Sequence, residues 1–263
     1  MTALVQRRDY LVDQRRSIIA RSVLGSIAGA LPIPFFDDWA VTKIVGNGYK
    51  NIASSHQVDV SADAITKLVY GTTPPPSVVE LAASGIVYQI ASRTARRMML
   101  AVATVKRARS AARTFVAMTL FDHYCARLHR GLALDATTAL ALRDEITRSI
   151  DNTPGALAFH PFRRGALSAA RATLRAPLEL ADIASRGALR RLLARRSEVT
   201  EAEHVDELEQ AMEAALADKG GFLARTVAAI EVQLSAEANP FLDAAIESLD
   251  RRWRARIAAE SDS

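Results

Sequence analysis

Helix start and stop signals recur along this chain, whereas strand-like alternation is nearly absent. Ser77 and Thr200 each open a capping box, in which a glutamate follows three residues later. Ser61 and Asp135 are further N-caps, and Gly71 is a natural helix terminator. Aromatic residues make up only 6% of the sequence, which suits close helix packing better than a sheet sandwich. We predict an all-α fold: a multi-helix bundle with short loops and no significant sheet.

The longest uncharged stretch extends from Ser22 to Phe36 and contains Pro32 and Pro34. It is shorter than the roughly 20 residues that a membrane-spanning helix needs, and its prolines break a helix. The sequence therefore argues against a simple transmembrane helix and leaves a re-entrant or interfacial segment open. We expect Asp37 to be the N-cap of the following helix, which the sequence Gly-Asn-Gly at 46–48 weakens or kinks.

Proline, glycine and histidine cluster at residues 151–164, which is the best candidate for a domain boundary. We predict an N-terminal helical domain over residues 1–150, carrying the apolar stretch, and a C-terminal helical region over residues 151–263. One continuous domain is the alternative. Residues 86–130 are expected to be helical, either as two helices or as one helix that is buried on several sides.

Charge is arranged in blocks. The chain carries a net charge of +5, with +8 over residues 93–130, +7 over residues 163–196 and −8 over residues 198–218. The simplest interpretation is that acidic and basic helices pair with each other. The basic residues of 93–130 fall on two opposite helix sides with few aromatic residues between them, which argues against nucleic-acid binding.

Asp122, Cys125 and His129 are spaced so that one continuous helix would present all three on one face. These residue types ligate zinc, and a cysteine beside a histidine is also a nucleophile–base pairing. A structural metal site needs four ligands, however, and the remaining histidines are scattered. We predict no catalytic residue, no metal and no cofactor, with this trio as the candidate set if one exists.

Basic residues flank the apolar stretch and predict contact with an anionic membrane surface or with another protein. Pro32, Pro34 and Asp37 form the structural motif of this element. The predicted contact residues are Arg7, Arg8, Arg15, Arg16, Arg21, Leu31, Ile33, Phe35 and Phe36.

The segment from Gly25 to Asp37 and the two stretches that follow it, Ile52-Ala53 and Val58 to Ser61, form a recognisable series. Over residues 20–71 the chain resembles the EcsC-like helical proteins, and a related helical domain that some bacteria fuse to Era-like GTPases. The matching positions are Pro32, Pro34, Asp37, Ile52, Val58 and Ser61. The resemblance implies a bacterial, all-α, intracellular protein with no known catalytic residues, and contact with the inner membrane surface.

The leading hypothesis is thus a non-enzymatic helical protein, cytoplasmic or peripheral on the inner membrane, that binds a membrane or a protein partner. The first alternative is a soluble scaffold or homo-oligomer held together by the complementary charge blocks. A metal protein or Cys/His enzyme, and a nucleic-acid-binding protein, are further alternatives.

Overall fold

The computed structural model describes residues 9–28, 36–73, 93–154, 210, 212–218, 221–236 and 240–261. Helices dominate these ranges, which confirms the predicted all-α fold. A short 3-10 turn, Asp9–Leu11, precedes the first helix, and residues 212–217 are also helical. The seven other helices described are α1 (Val12–Ala28), α2 (Phe36–Ser55), α3 (Ala62–Tyr70), α4 (Arg93–Arg127), α5 (Ala136–Asp151), α6 (Phe222–Ala236) and α7 (Pro240–Ser261).

Two strands of two residues each, β1 (Asp59–Val60) and β2 (Ala133–Leu134), form the only sheet in the described ranges. The strands are parallel, and the Asp59 N–H also donates to the Leu132 carbonyl at 2.8 Å. Each strand directly precedes a helix. The pairing therefore brings the start of α3 beside the start of α5, and these two helices pack against each other.

Helix caps form at three of the predicted positions. The Ser61 hydroxyl accepts from the backbone N–H three residues later at 3.1 Å, and α3 stops at Gly71, which has a φ of 69°. The Asp135 carboxylate accepts from the N–H groups two and three residues later at 2.8 and 2.9 Å. The expected cap at Asp37 is wrong, since α2 is helical from Phe36 and Asp37 lies inside its first turn.

Helices α1 and α2 form an antiparallel hairpin. Arg21 lies against Gly48, whereas Gly25, one turn later in α1, lies against Val45. Residue numbers thus increase along α1 while those of the contacting α2 residues decrease, as in an antiparallel pair. Helices α2, α4 and α6 all pack against α1, and seven consecutive α1 residues, 18–24, are buried, so this part of α1 is enclosed on all sides.

The Gly-Asn-Gly sequence at residues 46–48 does not interrupt α2, contrary to the expected weak point. A Cβ atom at Gly48 would lie 2.5 Å from Met118 Cε and 2.9 Å from Arg21 Cδ. A larger residue would force the Met118 or Arg21 side chain to shift, because side chains of α4 and α1 both approach the α2 backbone at Gly48. Glycine inside a helix costs roughly 1 kcal/mol relative to alanine, and at Gly48 it allows this close approach.

Helix α4 is the centre of the bundle. Eight consecutive residues, 118–125, are buried, so every side of the helix is covered at this level. The absence of a single apolar face in the sequence therefore reflects one helix buried on several sides, which was one of the two predicted alternatives.

The C-terminal helices pack on the N-terminal ones. Helix α6 packs against α1, and α7 packs against α4 and α5. Residues such as Val227 and Trp253 belong to the same hydrophobic cluster as Ile19 and Phe121. The proposed boundary near residue 151 therefore does not separate two hydrophobic cores among the described residues.

Candidate functional site

A buried carboxylate lies on the central helix. Asp122 is fully buried, and its Oδ1 accepts a hydrogen bond from His56 Nε2 at 2.6 Å. His56 lies just after the end of α2, in the turn that leads to β1. Asp122 Oδ2 has no hydrogen-bond partner. Burial raises the pKa of Asp122, the hydrogen bond and charge of His56 partly oppose this effect, and the nearby Asp13 adds to it.

The next residue of α4 makes a second buried contact. His123 Nδ1 is hydrogen-bonded to the Tyr10 hydroxyl, and His123 Nε2 lies 2.8 Å from Asp250 Oδ1. Because a carboxylate only accepts, Nε2 must carry a proton, and in the neutral imidazole Nδ1 then accepts from Tyr10. The Arg127 guanidinium lies 4.9 Å from the centre of the Tyr10 ring. His123 thereby joins the first turn of the described chain, α4 and α7.

We call these five residues the histidine–carboxylate network: Tyr10, His56, Asp122, His123 and Asp250. Asp122 and His123 reach different elements because adjacent helical residues project about 100° apart. The network contains residue types that perform acid–base chemistry. These groups, however, pair with one another across four segments of the bundle, although Asp122 Oδ2 stays without a hydrogen-bond partner, and such pairing holds the segments in register.

The predicted trio of Asp122, Cys125 and His129 does not share a helix face. Helix α4 ends at Arg127, and His129 Nδ1 lies 3.1 Å from the Tyr124 hydroxyl. Within the described ranges no three His, Cys, Asp or Glu residues are grouped so that they could hold a metal ion. The spacing argument was wrong because it assumed that the helix continued beyond residue 127.

Cys125 is also a poor nucleophile in this environment. Its side chain is buried, and burial, with the Asp122 carboxylate as a second cause, raises the pKa of the thiol. A catalytic cysteine needs the opposite shift, because the thiolate is the reactive form.

Arg21, one of the predicted contact residues, is buried inside the α1–α2 hairpin with 2% of its surface exposed. Its guanidinium donates to the Ile44 carbonyl at 3.4 Å and to the Ser17 hydroxyl at 3.3 Å. Arg21 therefore cannot reach a headgroup or a partner, and that assignment is corrected. Arg16 is exposed and lies 3.7 Å from Glu231, which links α1 to α6.

The other predicted contact residues differ in how far the structure describes them. Arg15 is half-buried on α1, and Phe36 is the first residue of α2. The remaining positions of the contact set and the motif lie outside the described residues: Arg7, Arg8, Leu31, Pro32, Ile33, Pro34 and Phe35. Most of the two C-terminal charge blocks, residues 163–196 and 198–218, also lies outside them.

A separate cleft of about 350 Å³ opens between the end of α5 and α7. No network residue lines it. Its lining residues are Asn152, Thr153, Pro154, Ala244, Ser248, Arg251 and Arg252.

The raised pKa of Asp122 predicts a pH dependence. The folded protein holds this proton more tightly than the unfolded chain, so the free energy of unfolding should fall as pH rises from about 4 through the raised pKa. Asp122→Asn removes the titration but keeps an acceptor for His56. We expect a flatter profile and, at pH 7, a stability equal to or above that of the wild type, measured by urea unfolding across pH.

Asp122→Ala is the matched control, because it leaves the His56 N–H without its acceptor. It should lower the free energy of unfolding by about 2 kcal/mol. Parallel pH profiles for the wild type and Asp122→Asn would show that this carboxyl does not titrate as its burial requires.

Comparison with other proteins gives no family assignment: no protein-family model, curated protein or solved structure matches this chain. The resemblance to EcsC-like proteins thus stays a prediction from residues 20–71. No helix among the described residues is both long and apolar enough to cross a membrane.

Proposed function

We propose that this chain is a non-enzymatic helical protein that acts by binding a membrane surface or a protein partner. The supporting observation is that the side chains able to perform acid–base or nucleophilic chemistry lie in the interior. Asp122, His123 and Cys125 are buried on the central helix. Asp122 and His123 are also hydrogen-bonded to residues of other segments. Such groups stabilise the bundle and leave recognition to the surface.

The proposed contact is the apolar connection between α1 and α2, residues 29–35, together with Phe36. Because the two helices are antiparallel, this connection joins them at one end of the hairpin. Leu31, Ile33 and Phe35 supply the large apolar side chains of the connection. Anionic phospholipid is the proposed surface, and an apolar groove of a protein is the alternative.

Arg16 is the exposed basic residue of α1. Arg16 precedes Ala28 by twelve residues, or about 18 Å of helix, whereas a headgroup layer is only about 5–8 Å thick. Because residues 18–24 are enclosed on all sides, α1 cannot lie flat along a membrane through this stretch. We therefore propose that the apolar side chains of residues 31–36, rather than Arg16, make the main contact.

Vesicle co-sedimentation tests this proposal. The wild type should bind anionic vesicles more strongly than neutral ones, and less strongly as salt rises, since the net charge of +5 attracts an anionic surface over a distance and salt screens this attraction. Leu31→Ser/Ile33→Ser should weaken binding at least about tenfold, because each large apolar side chain contributes roughly 1.5–3 kcal/mol when buried.

The matched control is Arg15→Gln/Arg16→Gln, which should change vesicle binding far less than the apolar variant. If the arginines contacted headgroups, each would contribute about 1 kcal/mol, and this control would lose binding as well. If the wild type does not bind anionic vesicles at low salt, the membrane proposal is wrong.

A second candidate is a homo-oligomer. Val12 and Val232 are 51% and 68% exposed, and both lie near the Arg16–Glu231 pair in sequence. An assembly that buries these valines while relying on complementary charge would dissociate as ionic strength rises, which light scattering at two salt concentrations detects.

A further inference from the structure

The cleft between the end of α5 and α7 has a cationic lining. Arg251 is exposed and forms no ion pair within the part of the chain that the structure describes. Arg252 lies 3.7 Å from Glu145 Oε2, which is beyond hydrogen-bonding distance. Glu145 Oε1, in turn, accepts from Arg148 at 3.1 Å. The two guanidinium groups of the cleft therefore keep N–H donors available for a ligand.

Arginines near a helix C-terminus often bind its last carbonyl groups, but here three of the last four carbonyls already have donors. The Asn152 N–H donates to the Arg148 carbonyl at 3.0 Å, and the Thr153 hydroxyl donates to the Ser149 carbonyl at 2.8 Å. The Thr153 N–H donates to the Ile150 carbonyl at 3.2 Å. The end of α5 thus does not need Arg251 or Arg252 as a cap.

Buried polar side chains also lie in and near the cleft. Thr153 and Ser248 line it with buried side chains. Ser149, one turn before Thr153 on α5, is fully buried and its hydroxyl has no hydrogen-bond partner. Glu145 Oε2, one turn earlier on the same helix face, also lacks one. Neither Ser149 nor Glu145 lines the cleft, and the Glu145 carboxylate would repel an anion at close range, so the donors to a ligand are those of the lining residues themselves.

We propose that this cleft binds a phosphate group, with Arg251 and Arg252 as the donors to its oxygens. Guanidinium groups bind phosphate in bidentate fashion, and a tetrahedral anion has enough oxygens for two of them. The Ser248 hydroxyl and the Asn152 side-chain amide supply neutral donors from opposite helices. A volume of about 350 Å³ fits a small phosphorylated molecule. This proposal does not depend on membrane binding by residues 29–36.

Isothermal titration of the full chain with inorganic phosphate, in chloride buffer of matched ionic strength, tests the site. The wild type should show saturable binding. Arg251→Gln should weaken it by about tenfold or more, since a charge-assisted pair is lost. Arg251 is the primary variant because its exposure lets the protein fold without it. Arg254→Gln, an exposed arginine on α7 that does not line the cleft, is the matched control.

Equal phosphate affinity in the wild type and Arg251→Gln would overturn the proposal, as would the absence of saturable binding. Vesicles containing phosphatidic acid identify the source of the group. If these vesicles compete with phosphate for the wild type, and Arg251→Gln abolishes the competition, the ligand is a lipid headgroup. If phosphate binding is saturable but the vesicles do not compete, the ligand is a free phosphorylated molecule.

Discussion

Replacing Trp253 with alanine is expected to lower the free energy of unfolding by about 4 kcal/mol. The side chain is 5% exposed, and its ring packs edge-on against Tyr124 with 5.0 Å between the centroids. Truncating a buried tryptophan typically costs 3–5 kcal/mol, because apolar contacts are lost and a cavity remains. Urea unfolding followed by far-ultraviolet circular dichroism measures the change.

The same experiment tests whether the chain has one core. Trp253 lies on α7 and Tyr124 on α4, on opposite sides of the boundary predicted near residue 151. Because they share one hydrophobic cluster, the variant should unfold in one transition shifted to lower urea. Arg254→Ala, an exposed change at the next position, should stay within about 0.5 kcal/mol of the wild type. Two separate transitions, with only one shifted by Trp253→Ala, would instead indicate two independently stable units.

The helix ends at Ser61, Gly71 and Asp135 could be predicted because their interactions are local. A cap bonds to backbone groups two or three residues away, so the spacing in the sequence contains the whole interaction. Arg21 shows the limit of this reasoning. Its burial depends on Gly48, which leaves room for it across the hairpin, and no local pattern reveals which α2 residue lies opposite.

The histidine–carboxylate network was missed for the same reason. His56 is 66 residues from Asp122, and His123 is 127 residues from Asp250. Helical spacing selected Asp122, Cys125 and His129 instead, because it compares only neighbours on one helix. One signal was present in the sequence: Asp122 and His123 are adjacent polar residues in a stretch of α4 that is otherwise mostly apolar. Buried polar groups need partners, so this adjacent pair predicts partners from distant parts of the chain.

His123→Ala should have the second largest effect, a loss of about 3 kcal/mol in the free energy of unfolding. The imidazole is 5% exposed and makes two hydrogen bonds, to Tyr10 and Asp250. Removing it leaves both partners without that contact and opens space beside α4. The loss stays below that for Trp253, because Tyr10 and Asp250 are partly exposed and can bind water instead.

The two contacts of His123 can be separated with Tyr10→Phe and Asp250→Ala, each of which removes one partner atom and is expected to cost about 1 kcal/mol in the wild type. In the His123→Ala background both changes should cost much less, because the contact they remove is already gone. Equal costs in the two backgrounds would show that neither residue depends on His123. Hydrogen exchange at Asp9–Leu11 gives a second readout, since this turn carries Tyr10 and immediately follows the segment with Arg7 and Arg8. Faster exchange there in His123→Ala, with α3 unchanged, would identify His123 as the residue that anchors the N-terminal turn to the bundle.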